Sequence, residues 1–463
     1  MVLRDRRGAF SPPLAKCLAT QARSEPLTRC RPTTPFSPPQ VGAIAISPIA
    51  PLPFSRSDAS ATALPDGLIY IAGGCDGAQN CAACSWNPDA LCCACSSVTN
   101  NMVAYSPATD TYIAKPHMPR TRYRHAACAL GGAVLMFGGK TLVPDANFST
   151  PLNPYPGNTG SLKDSNGALS AVDMYTLASG AWTTLSATYP LDLGSDNACA
   201  TLGSTVYLSG GYSEDYTAAF ATTYKFTLDA GGVGTFTPLL GTMRTPRGDF
   251  SLAAVGGQLY AWGGYTPYSA CGTYDWVCCP LPTMELYSPG TDTWELVPTG
   301  NLTVPSAEKD DAVVIGGVLY AVGGETKSKT SGCQDTDIVP LTKILSFDPA
   351  QPLLGWREEP AALPIAKMRY STEVLGGRAF VFGGQGALID FDTLPVDYTA
   401  FVFDPKGAAG AAGTPPGVVA GAVIGSLLAL ALGACACVAV RRRGAAGREE
   451  ALQKGGVALR VEA

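Results

Sequence analysis

"GGVLYAVGGET", residues 316–326, is an apolar run enclosed by two glycine pairs, and the chain writes the phrase six times. The other copies read "DGLIYIAGG", "GGAVLMFGG", "GSTVYLSGG", "GGQLYAWGG" and "GGRAFVFGG". A run this short, bounded by turn-forming glycines and rich in β-branched and aromatic residues, reads as a buried strand. The closing pairs are Gly73-Gly74, Gly138-Gly139, Gly210-Gly211, Gly263-Gly264, Gly323-Gly324 and Gly383-Gly384, spaced 65, 72, 53, 60 and 60 residues apart. A period near 50 residues with insertions predicts a radial β array.

A second phrase follows each pair after a variable loop: "NMVAYSPATDTY", "AVDMYTLASGAW", "TYKFTLDAGGVGTF", "MELYSPGTDTW", "KILSFDPAQPLLGW" and "AFVFDP". An aromatic ends one strand, a turn rich in Pro, Asp and Gly follows, and Trp182, Trp294 or Trp356 opens the next strand. That pattern predicts a hairpin whose two aromatics pack between neighbouring sheets. Tyr112 and Phe236 take the Trp position in two units, and the sixth unit stops before reaching its aromatic.

The double glycine followed by a spaced Tyr and Trp resembles the kelch repeat, over roughly residues 57 to 404. The resemblance implies an all-β, six-bladed kelch-type β-propeller of four-stranded blades. Residues 43 to 48 are expected to supply the strand that the sixth unit lacks, so that an N-terminal strand closes the ring and removes an open edge. The glycine pairs read as scaffold, where φ > 0 and close backbone approach are needed, because no helix follows them to cradle a phosphate.

Outside residues 41–404 the chain changes character. Residues 1–40 carry seven Lys or Arg against two acids and no apolar run, so a disordered leader or targeting segment is expected. Residues 405–416 read as a flexible linker. Residues 417–440, "GVVAGAVIGSLLALALGACACVAV", run 24 residues without a charge, which predicts a transmembrane helix. The "RRR" that follows predicts a cytoplasmic tail over 441–463 and an extracellular or luminal propeller. Gly417, Gly421 and Gly425 place two GxxxG steps on one helical face, an expected homodimer contact.

Bulk composition narrows the function. Charged residues are 15%, there are 52 glycines and 37 prolines, and the net charge is only -5, which fits a turn-rich β protein and offers no footprint for nucleic acid. Two histidines, His117 and His125, leave few candidates for a general base or metal ligand. No cofactor is expected, and the chain reads as no enzyme.

Sixteen cysteines are the unusual feature. Cys75, Cys81, Cys84, Cys92, Cys93 and Cys95 crowd one insertion, Cys271, Cys278 and Cys279 another, and Cys333 a third. These are disulfide candidates, with zinc the rival ligand at Cys81 and Cys84. Cys128 and Cys199, inside strands, read as buried small hydrophobes. Asn147 and Asn301 head glycosylation sequons.

Counting thirteen and fourteen residues back from each first glycine marks the start of every innermost strand: Ala59-Ser60, Arg124-His125, Asp196-Asn197, Asp249-Phe250, Lys309-Asp310 and Arg369-Tyr370. In a propeller these positions converge on the central channel. Together with Arg122, Arg247 and Lys367 two residues earlier, the polar members Arg124, His125, Asp196, Asp249, Lys309, Asp310 and Arg369 are the expected ligand-binding set. An alternating solvated charge ring is the bland reading of the same pattern.

Three functions are therefore expected in descending order. The first is a membrane-anchored, non-catalytic module that binds a protein or glycan. The second is a cytosolic, tail-anchored scaffold. The third is a copper-radical oxidase-like enzyme, disfavoured because the required two His and two Tyr find no matching arrangement.

Overall fold

Among the described residues, the regular elements of the computed structural model are thirty strands and one three-residue 3-10 turn, Pro352–Leu354. The structure describes residues 44–405 apart from 78, 84–90, 142–170, 191–193, 214–217, 267–278, 309–311, 328–337 and 388–392. The two phrases, each written six times, fold into six antiparallel sheets with strands ordered from the inside outwards; five sheets have four strands, and the blade 5 sheet adds a fifth, Glu325–Lys327.

The innermost strands are Ser60–Ala63, Ala126–Leu130, Ala198–Leu202, Ser251–Val255, Val313–Ile315 and Ser371–Leu375. Each turns back into a glycine-pair strand: Ile69–Ala72, Ala133–Phe137, Thr205–Ser209, Gln258–Trp262, Val318–Val322 or Arg378–Phe382. The third strands are Met102–Ser106, Ala171–Thr176, Thr223–Leu228, Met284–Ser288, Ile338–Phe347 and Ala400–Asp404. The innermost strands touch one another in sequence, and the last touches the first, so the sheets are the blades of a closed propeller.

Closure uses the N-terminus. The strand Ala45–Ile49 pairs antiparallel with Ala400–Asp404, from Ala45 opposite Asp404 to Ile49 opposite Ala400, and becomes the outer strand of blade 6. The first blade therefore cannot separate from the last without breaking a ladder. A second tie crosses the same seam: Thr393–Leu394 of blade 6 pairs with Gln79–Ala83, which pairs with Leu91–Cys95 in the blade 1 insertion.

Packing between blades supplies the core. Every blade interface holds its own apolar cluster, for example Phe137 of blade 2 with Leu208 and Phe226 of blade 3, and Tyr105 of blade 1 with Phe380 and Phe382 of blade 6. Burying one such side chain stabilises the fold by about 1.5–3 kcal/mol. The hairpin aromatics form the expected pairs, with ring centroids 5.1 Å apart for Tyr105 and Tyr112, 5.6 Å for Tyr175 and Trp182, and 5.3 Å for Tyr287 and Trp294.

The glycine pair has a more specific task than crowding at the axis. At Gly73 (φ 66°) a Cβ would lie 2.6 Å from the carbonyl oxygen of Arg122, which belongs to the next blade. Gly74 N–H donates to that same carbonyl at 2.8 Å. At the seam, Gly384 N–H donates to the Arg56 carbonyl at 2.7 Å. The pair is thus a blade-to-blade connector.

The membrane expectation is corrected. Among the described residues no helix is long and apolar enough to cross a membrane. Residues 417–440 lie outside the described residues, as do 1–40 and 441–463. Twenty-four uncharged residues meet a length criterion, but an apolar run is a composition and does not by itself make a helix. With it fall the transmembrane fold element, the membrane-anchored and tail-anchored functions, the extracellular or luminal placement with a cytoplasmic tail, and the dimer face at Gly417, Gly421 and Gly425.

Candidate functional site

Six residues at the start of the innermost strands form a ring on the propeller axis: Asp58, Arg124, Asp196, Asp249, Glu308 and Arg369. Each adopts the left-handed conformation, with φ between 51° and 57°. Each backbone N–H donates to the carbonyl of the preceding member: Arg124 to Asp58 at 3.0 Å, Asp196 to Arg124 at 3.1 Å, Asp249 to Asp196 at 3.0 Å, Glu308 to Asp249 at 3.1 Å, Arg369 to Glu308 at 3.0 Å and Asp58 to Arg369 at 2.9 Å. A closed circle of six hydrogen bonds holds a conformation that non-glycine residues rarely adopt.

Side chains around the ring are paired and buried. Arg124 reaches Asp58 at 3.3 Å and Asp196 at 3.7 Å, and Arg369 reaches Glu308 at 2.9 Å. Burial, together with the carboxylates of Glu308 and Asp196, pushes Asp249 well above the usual carboxylate range. Burial also raises Glu308 to about 7, against the pull of Arg369. His125, next to Arg124, donates to or accepts from the Ser60 hydroxyl at 3.0 Å, and burial with Arg122 holds it well below its ordinary value. It is a neutral imidazole.

Two expected members are replaced. In blades 1 and 5 the ring residue lies fifteen positions before the first glycine rather than fourteen, so Asp58 and Glu308 stand where a fixed count pointed to Ala59 and Lys309. Lys309 and Asp310 lie outside the described residues. Arg56 carried the missing signal, because a cation two places before the ring residue also occurs at Arg122, Arg247 and Lys367.

Those three cations are corrected from channel ligands to clasps inside their own blades. Arg122 donates to the Gly138 carbonyl at 3.0 Å and to Asp173 at 2.7 Å. Arg247 donates to the Gly263 carbonyl at 2.8 Å and to Glu285 at 2.7 Å. Lys367 donates to the Gly383 carbonyl and to Asp397, each at 2.6 Å. All three are buried, at 2% exposure or less. They tie the end of the glycine strand to the third strand and face no solvent.

Blade 1 keeps the cation without the carboxylate. Asp173 and Glu285 pair with Met136 and Ala261, and the residue in the same register of blade 1 is Val103, opposite Ile71. Arg56 is 1% exposed, lies 4.3 Å over the Phe54 ring, and has no hydrogen-bond partner at Nε or Nη2. Burial lowers its pKa to about 10, with Asp76 opposing.

Inside the ring lies a cavity of about 20 Å³ lined by Asp58, Ala59, Arg124, His125, Asp196, Asn197, Asp249 and Phe250. A second cavity of about 20 Å³, lined by Ala126, Ala127, Asn197, Ala198, Cys199, Leu252 and Ala312, shares Asn197 with the first. The bridges Ser57 to Cys75, Gly248 to Tyr265 and Ala307 to Glu325 put the loops after the glycine pairs on the same face as the ring.

The cysteines divide differently from the expectation. Cys75 and Cys95 form a disulfide at the base of the blade 1 insertion, Cα atoms 5.7 Å apart. Cys81, Cys92 and Cys93 fall on the hairpin strands and Cys279 on the two-residue strand Cys279–Pro280. Cys84, Cys271, Cys278 and Cys333 lie outside the described residues, as does Asn147; Asn301 is exposed. Cys128 and Cys199 are not isolated hydrophobes: they form a disulfide joining the innermost strands of blades 2 and 3. Blade-to-blade strand contact, which linear spacing does not report, brings them together.

Residues 246–301, spanning the fourth repeat, match the kelch motif. Kelch domain-containing protein 3 of Bos taurus is 23% identical over 303 residues, which covers 62% of this chain and 71% of that protein. Among the described residues no group of three or more His, Cys, Asp or Glu could hold a metal ion.

Proposed function

We propose that the protein is a non-catalytic binding module that engages a partner protein or glycan through the face bearing the polar ring. The observation that carries this reading is the shared face: the ring opens where the loops after the glycine pairs emerge, and one of those loops is stapled by Cys75–Cys95. A rigid scaffold with variable loops around a polar mouth favours recognition without chemistry.

The contact surface is expected to be the loops and the ring together. Arg122, Arg247 and Lys367 contribute by holding the blades in shape. The test is photo-crosslinking of the full chain from one position on each face, Tyr398 in the loop that enters the third strand of blade 6 and Ser204 in the opposite turn, both exposed. Adducts from position 398 and none from 204 are expected. Adducts confined to position 204 would overturn the assignment.

A further inference from the structure

The ring cavity carries an acceptor set that its own neighbours leave unused. All six ring carbonyls and amides are spent on one another, so recognition inside the ring falls to side chains. Three carboxylates and one guanidinium line the cavity. Arg124 bridges Asp58 and Asp196. Asp249, which the Tyr212 hydroxyl approaches, keeps Oδ1 without a hydrogen-bond partner. Asn197, at the same cavity and 7% exposed, has neither amide atom partnered. Buried polar atoms left this way cost free energy until a ligand or water satisfies them.

We infer that the ring cavity binds a primary ammonium group presented by a protein partner, a lysine side chain or a chain N-terminus, with Asp249 and Asn197 as its acceptors. This inference rests on the ring-face reading above. Size and charge select the class. The cavity admits a water-sized group, which an ammonium head matches. The lining is net negative even with Asp249 protonated, since Asp58 and Asp196 outweigh Arg124. His125 adds no charge, being neutral. An ammonium donates three hydrogen bonds and relieves the carboxylate repulsion that weighs on Asp249.

The experiment is a calorimetric titration of the full chain with Nα-acetyl-lysine-N-methylamide, its Nζ-acetylated form, and glycine-N-methylamide. Saturable binding of an amine-bearing probe and none of the Nζ-acetylated form is expected, and the tighter of the two amines identifies the lysine or N-terminal source. Asp249→Asn, which keeps shape and removes charge, is expected to weaken binding about tenfold or more. Asn197→Ala serves as the second variant if the first does not fold. Equal binding of the acetylated form, no binding of either amine, or undiminished binding in folded variants overturns the inference. Crosslinking from position 398 is independent of these probes, so a failed titration with intact crosslinks removes the ammonium site alone.

Discussion

Arg56 and Arg247 occupy the same place in two blades, yet of the two only Arg247 is hydrogen-bonded to a carboxylate, and this separates their effects on stability. Arg247→Ala leaves Glu285 buried at 0% exposure without its partner, so we predict a loss of about 3–5 kcal/mol in denaturant unfolding. Arg56→Met removes a buried guanidinium with unsatisfied donors and is predicted to be neutral or stabilising, by about 1 kcal/mol or more. A loss as large as that of Arg247→Ala would show that Arg56 has a carboxylate partner after all. Glu308 sets a pH dependence. Its proton is held up to about pH 7 in the fold but leaves near 4.5 in the unfolded chain, so its stabilisation is complete below 4.5 and lost as pH rises through 7. His125 runs the opposite way: held neutral in the fold, it costs stability as pH falls through 6.5. Glu308→Gln separates the two, and the wild-type advantage over that variant is predicted to shrink between pH 4.5 and 7 in urea melts.

Among the elements, the innermost strands of blades 2 and 3 are the ones joined covalently. The Cys128–Cys199 bridge closes a separation of 71 residues, so the Cys128→Ser, Cys199→Ser double variant is predicted to lose roughly 4 kcal/mol of unfolding free energy. An unchanged denaturation midpoint would mean that blade packing alone holds this interface. Cys75–Cys95 closes a separation of only 20 residues at the base of a surface hairpin. Its removal is predicted to raise amide exchange in Gln79–Ala83 and Leu91–Cys95 while leaving the inner strands protected. The glycine pairs help these interfaces to repeat, since five of the six bring a backbone N–H to the next blade's carbonyl.

For the whole molecule, closure is the decisive event, and it depends on one strand that lies far from its partner in sequence. Deleting residues 44–50 removes Ile44, Ile46 and Ile49 from the apolar clusters beside blade 6. The predicted cost is about 3–5 kcal/mol, with concentration-dependent association as the edge Ala400–Asp404 is exposed. A monomeric deletion variant with an unchanged midpoint would show that the seam hairpin from Thr393–Leu394 to Leu91–Cys95 is sufficient. The ring of six backbone hydrogen bonds also exists only once the circle is complete, so this deletion is predicted to abolish amine binding along with stability.

Blade number, strand phrasing, the hairpin aromatics and the N-terminal closing strand were determined by the sequence by itself, because each is a local periodic pattern copied into every repeat. The ring was legible only in part. Arg124, Asp196, Asp249 and Arg369 follow from a fixed count, whereas Asp58 and Glu308 are displaced by one residue. Partnership was not legible at all. Whether Arg122, Arg247 and Lys367 face a ligand or a carboxylate depends on Asp173, Glu285 and Asp397, thirty to fifty-one residues away. The apolar run at 417–440 shows the limit from the other side, since length and hydropathy alone named an element that no described helix supports. Charge pairing, the Cys128–Cys199 bridge and the unfilled acceptors at Asn197 and Asp249 were decided by the tertiary structure, because each depends on distance across blade interfaces that linear spacing does not encode.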